Sequence, residues 1–422
     1  MEDPQTRAQF EQEAEAFITR HWLTAADLEV RAKAAYAPSS NLTRAWYRAL
    51  AEQGWGVPHW PVAWGGLDWS ASQLLTWRAM CARAGAPPLD NLGTALIGPM
   101  LIDLGLAKNH ADWMRDIAQL AAQWTLAHPA DTQLTVQQDA AGRWRLHGSI
   151  ARCAMPWHTD WLLCRAQLTE AGKEAGSSRL IAAPKGLANS RPQASRSGWL
   201  DMHWTALEFD QVAIQPAQIL AVNEADQLRV WGNLLKWQTD QPDAVFWYPQ
   251  PQAAAAGLRY QLDGLEAYCA KLPYPPAALL REVAEIAIAV EGLAMSEHRL
   301  AQQLSLGITA TTRTMTEWVR VRGLQVRQQI GDLQTASFGY YALPQDSPPA
   351  GSNEPQIGAD NLVNGLDIAT AMQVALHNQV CGVALELDDL AQQLLSPEDD
   401  AAGERATQHL SLIHISEPTR PY

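Results

Sequence analysis

Residues 52–66 read EQGWGVPHWPVAWGG. Gly54 opens the stretch, Gly65 and Gly66 close it, and Pro58 and Pro61 lie between. Proline removes a backbone donor and glycine reaches backbone angles closed to other residues, so neither helix nor strand can run through it. On either side the pattern is helical. LTRAWYRALAEQGW before it and SASQLLTWRAMCARAG after it carry apolar residues at i, i+3 and i+4. The stretch therefore reads as a shaped joint between two amphipathic helices, with Asn41 and Ser70 as expected caps of the helices that follow them. FEQEAEAFITRHWL and ADWMRDIAQLAAQ extend the helical region to about residue 122, and Pro87–Pro88 marks another joint.

From Trp124 to about Leu220 the period changes to two, in RWRLHGSIARC, DWLLCRAQL, SRLIAAP and ALEFDQVAI, separated by Gly, Pro, Asn and Ser. This predicts an antiparallel β domain. From about Asn223 helices return, with two long amphipathic segments, PPAALLREVAEIAIAVEGLAMSEHRLAQQLSLG and TRTMTEWVRVRGLQVRQQIGDLQTASFG. A Pro/Gly/Ser-rich linker covers 343–358, and a last helix is expected from about Asp360 to Leu395. The fold class is α+β: an N-terminal helical domain over 1–122, a middle β-barrel domain over 123–222, a C-terminal helical bundle over 223–397 and a tail over 398–422.

Bulk properties exclude several function classes. The 422 residues carry a formal charge of −14 with no Lys/Arg-rich run, against a general nucleic-acid binder. The start lacks the basic flank and apolar core of a secretion signal, and no 18-residue apolar run occurs, so a soluble, cytoplasmic protein is expected. Cys81, Cys153, Cys164, Cys269 and Cys381 are scattered, with no CxxC pair and no metal-ligand spacing. There is no GxSxG elbow, no GxGxxG and no GxxxxGK[ST]. The 18 Trp read mostly as single packing residues.

Four stretches together resemble the acyl-CoA dehydrogenase family over roughly residues 10–390. The first is residues 52–66. The second is Leu126-Ala127-His128-Pro129-Ala130-Asp131, where the family has Thr-Glu-Pro-x-Ala-Gly-Ser-Asp; Ala127 replaces the threonine and His128 the carboxylate. The third is GRWRLHGSIARCAMPWHTDWLLCRA, whose spacing from Gly148 to Asp160 places Arg152 at the family's flavin-stacking Trp and Ala154 at its flavin-contacting hydroxyl. The fourth is SFGYYAL with TAMQVALHNQVCGVALEL. There Thr370, Ala371, Met372 and Val374 stand where the family has a carboxylate or Gly, then Gly, Thr and Glu.

The resemblance implies FAD as cofactor and an acyl-CoA thioester as substrate. In the family's reaction a carboxylate accepts an α-proton while a hydride leaves the β-carbon for the flavin. Its two locations for that carboxylate correspond here to Thr370 and, on the first helix after the β domain, to Gln238; neither side chain can serve as the base. Asp240 and Glu224 lie nearby and read as surface residues. The family's Arg-x-x-Phe-Gly flavin-phosphate motif is not found. This pattern resembles the diverged subunit of mixed oligomers acting on steroid side-chain or dicarboxylic acyl-CoA, which implies a homologous, Glu-bearing partner and an electron-transferring flavoprotein as acceptor. Two other readings stay open: a structural or acyl-CoA-binding subunit without its own flavin, and a homo-oligomeric enzyme whose base lies elsewhere. The final SLIHISEPTRPY resembles sequencing-adapter read-through, so residues from about Leu412 are set aside from the fold and the true C-terminus is expected to be missing.

Overall fold

The computed structural model describes residues 4–35, 40–87, 89, 92–127, 131–155, 159–169, 177–184, 186, 188–197, 202–220, 253–271, 277–307, 309–338, 363, 364, 366, 371 and 374. Helix α1 (Pro4–Ile18) runs on into a π-helical turn, Thr19–Leu23, and is followed by α2 (Leu28–Ala35), α3 (Asn41–Glu52) and α4 (Ala71–Arg83). Ser70 caps α4 in a capping box with Gln73. The cap of α3 is a correction: it is Ser40, whose hydroxyl accepts the Thr43 N–H at 3.0 Å. Ser40 has the extended backbone a cap needs, and Asn41 is already the first helical residue. The tryptophans here do not sit singly. Trp22, Trp46, Trp55 and Trp77 share one core with Phe17, and Trp46 stacks on Trp77 with ring centroids 6.2 Å apart.

The joint between α3 and α4 is a knot of backbone hydrogen bonds. The N–H groups of Leu67 and Trp69 both donate to the Pro58 carbonyl at 3.0 Å, and Asp68 N–H donates to the Trp60 carbonyl at 3.1 Å. Gly65 closes the turn at φ +86, and a Cβ on Gly66 would stand 1.9 Å from the Trp60 oxygen. The two glycines are thus required one by φ and one by close approach. Trp60, 1% exposed, projects from this knot over Gly98, the first residue of α5 (Gly98–Asp103). Its indole N–H donates to the Thr94 carbonyl at 3.3 Å. Next comes α6 (Ala111–Ala118), which ends the N-terminal helices.

The strands are β1 (Trp124–Leu126), β2 (Thr132–Gln138), β3 (Trp144–Met155), β4 (Trp161–Leu168), β5 (Ser177–Pro184), β6 (Asn189–Ser197), β7 (Met202–Ile214) and β8 (Ile219–Leu220). They follow the order β6-β7-β3-β2-β4-β5-β8, with β1 beside β4. The α+β class stands, while the pairing is mixed rather than wholly antiparallel: β1 and β2 each pair parallel with β4. Among the described residues no β6–β8 pairing closes a barrel. Gly148 of β3 is required where it is, since a Cβ there would lie 2.0 Å from the Gln133 carbonyl oxygen of β2.

Three helices follow: α7 (Ala254–Cys269), α8 (Ala277–Leu306) and α9 (Ala310–Phe338). They share a core of Leu258, Leu262, Leu265, Val290, Leu293, Val326 and Ile330. Among the described residues no helix is long and apolar enough to cross a membrane.

Candidate active site

Two of the matched stretches meet at the end of β1. Ala127, fully buried, follows β1 directly and donates its N–H to the Leu163 carbonyl of β4 at 3.0 Å. Arg152 and Ala154 lie on β3 on either side of Cys153, whose thiol donates to the Leu126 carbonyl at 3.4 Å. The β3–β7 register slips between Ile150 and Cys153, so Arg152 falls within a bulge; pairing resumes with Cys153 opposite Thr205 and Ala154 opposite Trp204. Asp160, the aspartate of the third stretch, accepts the Gln123 N–H at 2.9 Å and ties the start of β4 to that of β1.

A stack of aromatic rings buttresses the same two strands. Trp124 of β1 stacks on Trp161 of β4, its register partner, at 5.5 Å and 17°. Trp113 of α6 meets Trp124 edge-on at 5.4 Å, and His110 stacks on Trp113 at 4.3 Å. Burial lowers the pKa of His110, favouring the neutral ring that such a stack accommodates. The sequence shows these rings only as separate apolar positions, because the parallel β1–β4 register that aligns them is not a local signal.

Val374 lies elsewhere. With Ala371 it is buried in the core of the three C-terminal helices, a set distinct from the β-domain core that holds Ala127. The approach to this segment is pinned by Asn364, whose side-chain amide donates to the Tyr260 carbonyl of α7 at 2.8 Å. Asn364 seats over Gly264, where any Cβ would collide with it. His128, Gln238, Thr370 and Met372 lie outside the described residues.

The carboxylates described around α7 are committed to structure. Asp263 and Glu266 both pair with Arg259, Glu266 at 2.7 Å. Glu297 of α8, only 2% exposed, accepts the Ala254 N–H at 2.6 Å and so caps α7, which starts on Ala253 at φ +56 with no side-chain cap of its own. Nothing in the sequence singles out Glu297, which falls on the buried face of its helix. Glu317 pairs with Arg320 at 3.0 Å inside α9. Among the described residues no His, Cys, Asp or Glu group could hold a metal ion. The thiols of Cys153 and Cys164 are buried, and burial raises the Cys164 pKa far from a reactive thiolate.

No family model matches the chain, and no curated protein matches it. Solved structures match it over nearly its whole length. The Tcur3481–Tcur3483 steroid ACAD aligns at a TM-score of 0.67, covering 93% of this chain and 97% of its own at 15% identity. The ChsE4–ChsE5 complex from Mycobacterium tuberculosis gives 0.67, 95% and 99% at 16% identity. A glutaryl-coenzyme A dehydrogenase, in its glutaryl-CoA complex, gives 0.65, 94% and 96% at 14% identity. The chain has the acyl-CoA dehydrogenase fold. On this fold Gly65, Gly66, Gly148 and Asp160 shape backbone. Ala127 and Val374 present apolar groups packed into two cores.

Proposed function

We propose that this protein takes part in FAD-dependent α,β-desaturation of an acyl-CoA thioester as a diverged subunit, beside a homologous subunit that carries the catalytic carboxylate. The observation that carries this reading is the whole-length match to acyl-CoA dehydrogenases, 93% of this chain and 97% of the other for the steroid ACAD. Gln238 and Thr370 stand where a carboxylate is needed. Two of the similar structures, Tcur3481–Tcur3483 and ChsE4–ChsE5, pair two differently named chains, which favours a partner for this one and a bulky acyl group such as a steroid side chain. An electron-transferring flavoprotein is the proposed acceptor.

FAD supplies the hydride acceptor in this chemistry. The described residues at the assigned contact positions do not fit a flavin held tightly by this chain alone. Ala127 has no side-chain donor and its N–H is engaged by Leu163, and Val374 is packed among the C-terminal helices. With Ala154 and Met372 also unable to donate, about three neutral hydrogen bonds are missing, each contributing on the order of 1 kcal/mol. The isolated chain is expected to bind FAD about a hundredfold more weakly than a chain with the full set. Stoichiometric FAD retained through gel filtration of the isolated chain would contradict this.

Co-expression with a Glu-bearing homologue tests the reading as a whole. The expected product is a yellow complex of the two chains that reduces its flavin on addition of an acyl-CoA. Loss of that reduction when the homologue's glutamate becomes glutamine, with the complex intact, assigns the base to the partner. A complex that keeps full activity after that change would overturn the assignment.

A further inference from the structure

The meeting of α1, α4, α7 and α8 carries an inference that stands independently of the desaturation reading. Where these four helices come together the sequence supplies small side chains: Ala79 of α4, Ala255 and Ala256 of α7, and Ala294 of α8. Side chains this short leave the space between the helices unfilled, against the close packing of an ordinary interior. The result is a half-open cavity of about 510 Å³, within the range that holds a small organic ligand. Its floor is apolar: Leu75 is 3% exposed, Ala255 2% and Val290 1%. Neither Ala127 nor Val374 lines it.

The charges on the walls select what fits. Arg7 of α1, Arg83 of α4 and His298 of α8 line the cavity from three helices. Burial, and then the charges of Arg7 and Arg83, hold the His298 pKa below its usual value, so the ring is neutral near pH 7 and both cations lie close to it. No carboxylate is among the groups that act on that ring. Arg7 spends only its Nε on Glu11, at 2.8 Å, and Arg83 and His298 make no hydrogen bond or ion pair among the described residues. The remaining lining cation, Arg259, is held by Asp263 and Glu266. Of the lining carboxylates, Glu11 is matched by Arg7 and Glu297 by the Ala254 N–H, while Glu15 and Glu291 stand exposed. The unspent donors are therefore guanidinium groups, whose planar fork matches a carboxylate through two parallel hydrogen bonds. The apolar floor matches a hydrocarbon chain. We propose that this cavity binds a carboxylate carrying a medium-length aliphatic chain, its head at Arg83 and His298 and its chain along Leu75, Ala79 and Ala294.

The test uses the full chain, with octanoate as the probe and isothermal titration calorimetry as the measurement. A dissociation constant of about 0.1–1 mM is expected for a ligand of this size, tightening about fourfold with each CH₂ from butanoate to octanoate. Octylamine, with the same chain and the opposite charge, should bind at least about tenfold more weakly. Arg83→Gln should weaken octanoate binding about tenfold or more, the cost of one charged hydrogen bond, and Arg83→Lys should restore part of it by returning the charge. Thr76→Phe, which sets a ring into the cavity, should abolish binding. Circular dichroism should stay unchanged, since Arg83 is exposed and Thr76 only half-buried; if the phenylalanine disturbs the fold, Arg83→Gln alone decides. No binding at millimolar octanoate would overturn the inference. So would octylamine binding as tightly as octanoate, affinity independent of chain length, or octanoate binding untouched by Arg83→Gln. None of these results bears on the desaturation reading, whose test is flavin reduction by an acyl-CoA.

Discussion

Trp60→Ala is expected to lower folding stability by about 3–5 kcal/mol, the range for removing a large buried aromatic side chain. The indole is 1% exposed, donates to Thr94 and packs against Gly98 so closely that a Cβ there would lie 2.0 Å from the ring. It belongs to a core that includes Leu96, Met100 and Leu101 of the helical region and Leu126, Leu163 and Leu180 of the sheet. Its loss therefore opens a cavity where the two layers meet, and neighbours held on separate strands and helices cannot collapse to fill it. Val62→Ala, two residues from Trp60 but 65% exposed, should change stability by less than about 0.5 kcal/mol. Urea denaturation followed by circular dichroism measures both. A Trp60→Ala loss below about 1 kcal/mol would mean that the joint and the sheet do not share this core.

Gln238→Glu is the second large effect, from no activity to measurable activity. If Gln238 occupies one of the two carboxylate positions of the acyl-CoA dehydrogenase reaction, restoring the acid places a base beside the α-carbon of a bound thioester. A carboxylate in a dry pocket has its pKa raised by desolvation and becomes competent near neutral pH. Expressed with the Glu-bearing homologue proposed above and supplied with FAD, the variant should exchange the α-hydrogen of an acyl-CoA for deuterium even when the homologue's own glutamate has been replaced. The unmodified chain in the same complex should not. Equal exchange by both would show that residue 238 is not at the reacting centre.

The parts of the fold that were legible in the sequence are those fixed by local chemistry. The capping box at Ser70–Gln73, the long periods of α8 and α9, and the alternation in β3, β4, β5 and β7 all follow from residues a few positions apart. What was missed lacks a local signal. α2 buries only Ala32 and Ala34 and so shows no apolar stripe. β6 reads NSRPQASRS, with a proline and no apolar alternation, because among the described residues it ends the sheet and pairs only with β7; proline is tolerated at such an edge. The parallel contacts of β4 depend on chain crossovers that no short window reveals.

The candidate site was legible mainly as a set of departures. Arg152 and Ala154 were assigned by their spacing between Gly148 and Asp160, which still do structural work, whereas Ala127 was assigned from the stretch around Pro129 and Val374 from the length and apolar rhythm of the C-terminal segment. The convergence of β1 and β3 through Cys153 and Leu126 required the structure. The first described helix after the sheet is α7, beginning at Ala254. The capping role of Glu297 was likewise invisible, because it depends on α7 and α8 meeting across more than forty residues of sequence.

Turnover by the isolated chain is the most direct test of the account. The purified protein, without partner and with excess FAD, is mixed anaerobically with a series of acyl-CoA thioesters, including steroid side-chain and dicarboxylic ones, and flavin reduction is followed by absorbance. The account predicts no reduction with any of them, because Gln238 and Thr370, the residues proposed for the two base positions, are not carboxylates. Reduction that is abolished by replacing one Asp or Glu of this chain would contradict it and identify this protein as a complete desaturase with its base at that residue.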